Sequence, residues 1–127
     1  MTRISLTTRV FITLCFMALL AIASIIPGRA QPGDSVFIWL VAKTPTLLQK
    51  ALHICLYGVL TLLCVWALDA VQSKFYRLVA AVTVAVLFGA ALEWAQTRIP
   101  GRFGTLADVT LNAAGALLGV FAAIVLF

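Results

Sequence analysis

The chain has 127 residues, enough for one domain, and 64% of them are apolar or aromatic while only 10% are charged. A soluble domain carries roughly 25% charged residues, and one this small has too much surface for its volume to stay in water with so few; intrinsic disorder is excluded on the same figures, and a disulfide scaffold because three Cys cannot all pair. The net charge of +5 comes from basic residues lying between long apolar runs, which fits loops at an anionic membrane surface and not a nucleic-acid groove.

A bilayer span takes about 20 mostly apolar residues, and the segments 10–26, 45–68, 76–96 and 106–127 meet that requirement. The fold class is therefore all-α: an integral membrane four-transmembrane-helix bundle, read as a single domain over 1–127. The first span is entered from Arg9 and stopped by Pro27 and Gly28. Its apolar run exceeds the roughly 7 to 15 residues of a signal-peptide core, and Pro27 and Arg29 are poor neighbours for cleavage, so it is read as an uncleaved span. The linker 27–44 contains a short apolar stretch at 36–42 with Phe37 and Trp39, too short to cross and so expected to lie at the interface.

Thr44 is placed to cap the second span, and Pro45 suits a first helical turn, where a missing N–H costs nothing. A short loop, 69–75, leads to the third span, which ends before Pro100 and Gly101; Thr105 is placed to cap the fourth. Trp66, Tyr76 and Trp94 fall near span ends, where amphipathic rings prefer the interface. Arg3, Arg9, Lys74 and Arg77 lie on one side, and Arg29 and Lys43 on the other once Lys50, Arg98 and Arg102 are assigned to a site. That balance points to a cell-membrane protein with both termini cytoplasmic.

The few polar residues inside the spans are not scattered. Lys50, His53 and Tyr57 are spaced three and four apart and share one helical face; Glu93 and Gln96 share another, with Gly89 one turn below. Asp108, Asn112, Gly115 and Gly119 fall in one stripe at about 100° per residue. Following the chain back and forth through the bilayer brings all of these, with Arg98 and Arg102 of the loop 97–104, to one depth near one face. A charge at the bilayer centre costs roughly 2.5 to 3.5 kcal/mol, so inward-facing groups that meet one another are expected.

Together they form a polar pocket of mixed charge, suited to an anionic or phosphate-like group, with helix N-termini adding partial positive charge. Lys50, Tyr57, Gln96, Arg98, Arg102 and Asn112 are candidate ligand-binding residues, and His53, Glu93 and Asp108 candidate acid–base residues. Structural readings stand beside these. Asp108 lies three residues after Thr105, the spacing of a capping box. Gly115 and Gly119 form a GxxxG packing pattern, and Tyr57 and Asn112 serve equally as glue between helices. Cys15, Cys55 and Cys64 have no ligand spacing and read as small apolar residues; no metal site and no cofactor is indicated.

The same residues resemble the VanZ-like family. Lys50-Ala-Leu-His53 with Tyr57 four later is similar to its first motif. Glu93-Trp-Ala-Gln96, Pro100-Gly101-Arg102, then Asp108, Asn112, Gly115 and Gly119 are similar to its second; the likeness spans about residues 47 to 121. Leu92 departs from the pattern, because many members carry an acidic or small residue there, which weighs against a role for a carboxylate pair. The resemblance implies a small bacterial multi-pass membrane protein affecting the cell envelope. The family takes its name from a protein associated with low-level teicoplanin resistance, and related members influence susceptibility to lipoglycopeptides; no reaction is implied.

Three functions follow from the residues and the resemblance together. The first is a protein that binds a lipid headgroup or lipid-linked envelope precursor, Lys50 and Arg102 gripping the anion and Glu93 and Asp108 positioning them. The second is an intramembrane enzyme in which His53, oriented by Glu93 or Asp108, does acid–base chemistry on a lipid-linked substrate. The third is a non-catalytic assembly subunit. Self-association is compatible with all three, and a nucleic-acid partner with none.

Overall fold

A serine hydroxyl starts the first helix. The Ser5 Oγ accepts from the Thr8 N–H at 3.1 Å and lies 2.8 Å from Thr8 Oγ1, so α1 runs Leu6–Ser24 and begins four residues before the apolar run at 10. Arg9 is thus inside the helix and does not precede it. The structure, a computed structural model, describes residues 4–24, 46–98 and 106–126, with side chains at 4–23, 50–98 and 109–126. The other helices are α2 (Thr46–Ala67), α3 (Lys74–Gln96) and α4 (Leu106–Leu126). The caps expected at Thr44 and Thr105, and the interfacial segment 36–42, lie outside the described residues.

The third helix also begins before its apolar run. Ser73 has extended backbone (φ −73°, ψ 115°) and its side chain accepts from the Tyr76 N–H, so the helix opens at Lys74 instead of 76. Hydropathy marks where lipid begins, whereas a cap marks where the hydrogen-bond ladder begins; the two differ by up to a turn. At its far end Thr97 N–H donates to the carbonyls of Glu93 and Trp94, both at 3.3 Å, closing the helix at Gln96.

All four helices are long and apolar enough to cross a membrane, with mean hydropathy of 1.7 to 2.2 over their spanning windows. Their burial is the inverse of a soluble protein's. Phe11, Phe121 and Val125 are two-thirds exposed, while Thr13, Thr61, Glu93, Gln96 and Asn112 are buried. In water that outer surface would be one continuous apolar patch; against acyl chains it costs nothing. The exposed Tyr76 and Trp94 sit at opposite ends of α3, roughly 27 Å apart at about 1.5 Å per residue, close to the hydrocarbon thickness of about 30 Å. The chain is a multi-pass membrane protein.

Three helices form the core and the fourth leans on them. Buried positions on α3 are Ala81, Ala85, Gly89, Glu93 and Gln96, a stripe that changes from small to polar along its length. On α2 they include Tyr57, Leu60, Thr61, Cys64 and Val65, and on α4 Asn112, Ala116 and Ala123. The α2–α4 seam is the tightest. A Cβ on Gly119 would lie 2.6 Å from the Gly58 carbonyl oxygen and 2.8 Å from Thr61 Cβ, and one on Gly115 would run into the Ile54 carbonyl. Bare backbone is required there because lipid supplies no hydrophobic drive between helices, so close van der Waals contact must hold them.

α1 packs on α2 and, less extensively, on α3. Thr13 Oγ1 reaches the Leu63 carbonyl of α2 at 3.3 Å, and Leu20 is buried nearby. At the membrane face the Arg9 guanidinium pairs with Asp69 (2.9 Å), donates to the carbonyls of Ile4 and Trp66, and lies over the Trp66 ring at 5.5 Å. Arg77 folds back from α3 onto the Val71 carbonyl (2.7 Å) and the other Asp69 oxygen (3.6 Å). Two arginines thus tie α1 and α3 to the end of α2. Asp69 is half exposed, so solvent screens the pairs and Asp69→Asn is expected to cost at most about 1 kcal/mol. Arg9→Ala removes the carbonyl and ring contacts as well and should lower the unfolding temperature in micelles more than Asp69→Asn does.

Candidate functional site

Position along each helix decides which side chains meet. Glu93 is three residues from the end of α3, roughly 5 Å along the axis, while His53 and Asn112 are seven and six residues into α2 and α4, roughly 10 Å. α2 and α4 enter the bundle from the face at which α3 ends, so His53 and Asn112 lie level with Gly89, seven residues from the end of α3, and Glu93 lies about one turn nearer that face.

Two of the candidate residues are joined directly. His53 Nδ1 and Asn112 Oδ1 are 2.7 Å apart, across the α2–α4 seam. The Asn112 side chain is 1% exposed, and its Nδ2 has no hydrogen-bond partner among the described residues. One turn further along α2, the Tyr57 ring lies parallel to the imidazole, with 6.3 Å between centroids and 3° between planes, as i,i+4 spacing allows. Tyr57 is buried against Gly89 of α3, where a Cβ would lie 2.8 Å from its ring and 2.9 Å from Asn112 Nδ2. Gly89 is therefore the floor on which the tyrosine and the asparagine rest. Above it on α3, Glu93 and Gln96 are both buried, and Glu93 is within electrostatic reach of the Tyr57 hydroxyl.

His53, Tyr57, Asn112, Glu93 and Gln96 thus face the junction of α2, α3 and α4. Lys50 does not join them: it is exposed, one turn nearer the membrane face than His53. Arg98 is exposed too, its guanidinium 4.4 Å above the Trp94 ring, so it covers an interfacial aromatic instead of reaching inward. Arg102 lies outside the described residues, and so does the side chain of Asp108, whose backbone belongs to the first turn of α4. Gly115 and Gly119 occupy the α2–α4 seam.

The sequence reading pairs His53 with Glu93 or Asp108; the partner of its Nδ1 is the neutral amide of Asn112. A carboxylate would stabilise an imidazolium, whereas an amide oxygen mainly orients the ring. Gly58 is the residue that the sequence reading leaves out. A lone glycine in a leucine-rich helix costs roughly 1 kcal/mol against alanine, and that cost was the available signal that another backbone comes close. Among the described residues no group of three His, Cys, Asp or Glu converges to hold a metal, and the three cysteines are free thiols.

A family model described as VanZ/LLP1 matches residues 5–127, nearly the whole chain, and the chain belongs to that family. No curated protein and no solved structure matches it.

Proposed function

We propose that this VanZ/LLP1-family protein receives the polar headgroup of a membrane lipid, or of a lipid-linked envelope precursor, at the junction of α2, α3 and α4 near one membrane face. The observation that carries this reading is Asn112: a side chain 1% exposed that uses its oxygen on His53 and leaves Nδ2 buried without a partner among the described residues. An unpaired buried donor costs roughly 1 to 3 kcal/mol, so a network serving helix register alone would be expected to close on itself. A ligand oxygen would close it. Lys50, exposed one turn beyond His53, and Arg102 are proposed to hold the headgroup phosphate, with Glu93 and Asp108 positioning them.

The acid–base alternative has less support, because the hydrogen bond that holds the imidazole Nδ1 is made to a neutral amide, which orients the ring without stabilising it as a cation. In its setting the protein is proposed to lie in the cell membrane with both termini cytoplasmic, as the basic end containing Arg9, Lys74 and Arg77 favours. By family membership it is proposed to alter susceptibility to teicoplanin or lipoglycopeptides.

Addition of short-chain phosphatidylglycerol to the protein in micelles tests the binding reading. It should raise the unfolding temperature, since ligand at about 100 times its Kd stabilises by roughly 2.7 kcal/mol, and Asn112→Ala should abolish the rise. A rise that survives in Asn112→Ala would remove this site from the reading. The susceptibility change conferred by expressing the protein should disappear in the same variant at equal membrane level.

A further inference from the structure

The chain has a single histidine, and its protonation pattern is set by a neighbour. Asn112 Oδ1, 2.7 Å from His53 Nδ1, can only accept a hydrogen bond, so Nδ1 carries a proton, and in the neutral ring the lone pair falls to Nε2. The Tyr57 ring lies parallel to the imidazole, 6.3 Å between centroids, and is itself held against Gly89. Nε2 has no hydrogen bond among the described residues. A histidine side chain free in water favours the opposite tautomer, so the arrangement is imposed by the fold.

We infer that Asn112 is a positioning residue that locks His53 as its Nδ1–H tautomer, so that Nε2 acts as an acceptor selecting headgroups that bring an O–H or N–H donor. The inference rests on the headgroup reading above and narrows it. The choline headgroup has no such donor and would set phosphate lone pairs against the Nε2 lone pair. Phosphatidylglycerol supplies hydroxyls and phosphatidylethanolamine an ammonium, each able to donate to Nε2.

Two measurements on the full chain in micelles test this. With 15N-labelled histidine at a pH where the ring is neutral, the long-range proton–nitrogen spectrum should show Nδ1–H in the wild type. Asn112→Asp, whose carboxylate also accepts, should keep that tautomer, and Asn112→Ala should revert to Nε2–H. A wild-type ring protonated on Nε2, as an amide donating to Nδ1 would produce, overturns the inference without needing any variant to fold. In titrations with short-chain lipids, phosphatidylglycerol and phosphatidylethanolamine should bind roughly tenfold tighter than phosphatidylcholine, about one hydrogen bond's worth, and Asn112→Ala should erase the difference. Equal affinity for the three overturns the selection while leaving headgroup binding intact. A preference for phosphatidylglycerol alone overturns it in favour of net charge, and no binding of any of them removes the headgroup reading itself.

Discussion

Replacing Gly115 with leucine is expected to remove most of the protein from the membrane fraction, and to leave what remains unfolding well below the wild type. The obstacle to any side chain at this position is main-chain atoms of α2, the carbonyl group and Cα of Ile54. Flexible side chains can move aside, but a helix backbone moves only as a whole. α4 would have to withdraw from α2 along the seam that also holds Gly58 and Gly119, and the His53–Asn112 bond crosses that seam. Overpacking costs about 1 to 3 kcal/mol where side chains can adjust; with backbone as the obstacle, about 3 kcal/mol is the lower end. Leu117→Ala on the same helix is the comparison, because Leu117 is 62% exposed and faces lipid. A Gly115→Leu protein with wild-type abundance and unfolding temperature would mean that α2 and α4 do not meet in this register.

Gly89→Ala is expected to separate function from assembly. The atoms nearest its Cβ would be those of the Tyr57 ring and the Asn112 amide, both side-chain groups. The bundle can absorb the methyl by displacing these two groups, at about 1 to 3 kcal/mol, so the protein should still accumulate in the membrane. The displaced groups are those that orient His53, and the stabilisation by phosphatidylglycerol should fall at least tenfold in apparent affinity. Thr83→Ala is the control on the same helix: Thr83 is exposed, and its hydroxyl merely donates to the Val79 carbonyl one turn back. Binding by Gly89→Ala that matches the wild type would place the headgroup elsewhere.

The polar cluster is partly legible in the amino-acid sequence. Within a helix, periodicity is a matter of angle, and the spacings of His53 with Tyr57 and of Glu93 with Gln96 put each pair on a common face, the faces that turn inward. The assignment of Arg98 to the same pocket rests on a weaker premise, that cations near acidic groups join them. Long basic side chains near helix ends have a competing option, which is to reach the interface and keep their hydration. Arg98 takes it, stacking on Trp94.

The amino-acid sequence alone determined the membrane setting, the four helices and their described bounds to within four residues, and which residues share a face. Those properties sum over neighbours along one chain: transfer free energies add residue by residue, and the helical repeat is a local geometry. Only the tertiary structure decided that His53 meets Asn112, that Gly89 supports Tyr57, and that Gly58 is the counterpart of Gly115 and Gly119. The relative slide and rotation of two helices depend on how closely particular small residues let their backbones approach. In lipid no apolar stripe marks that contact in advance, because the outward and inward faces are nearly equally greasy.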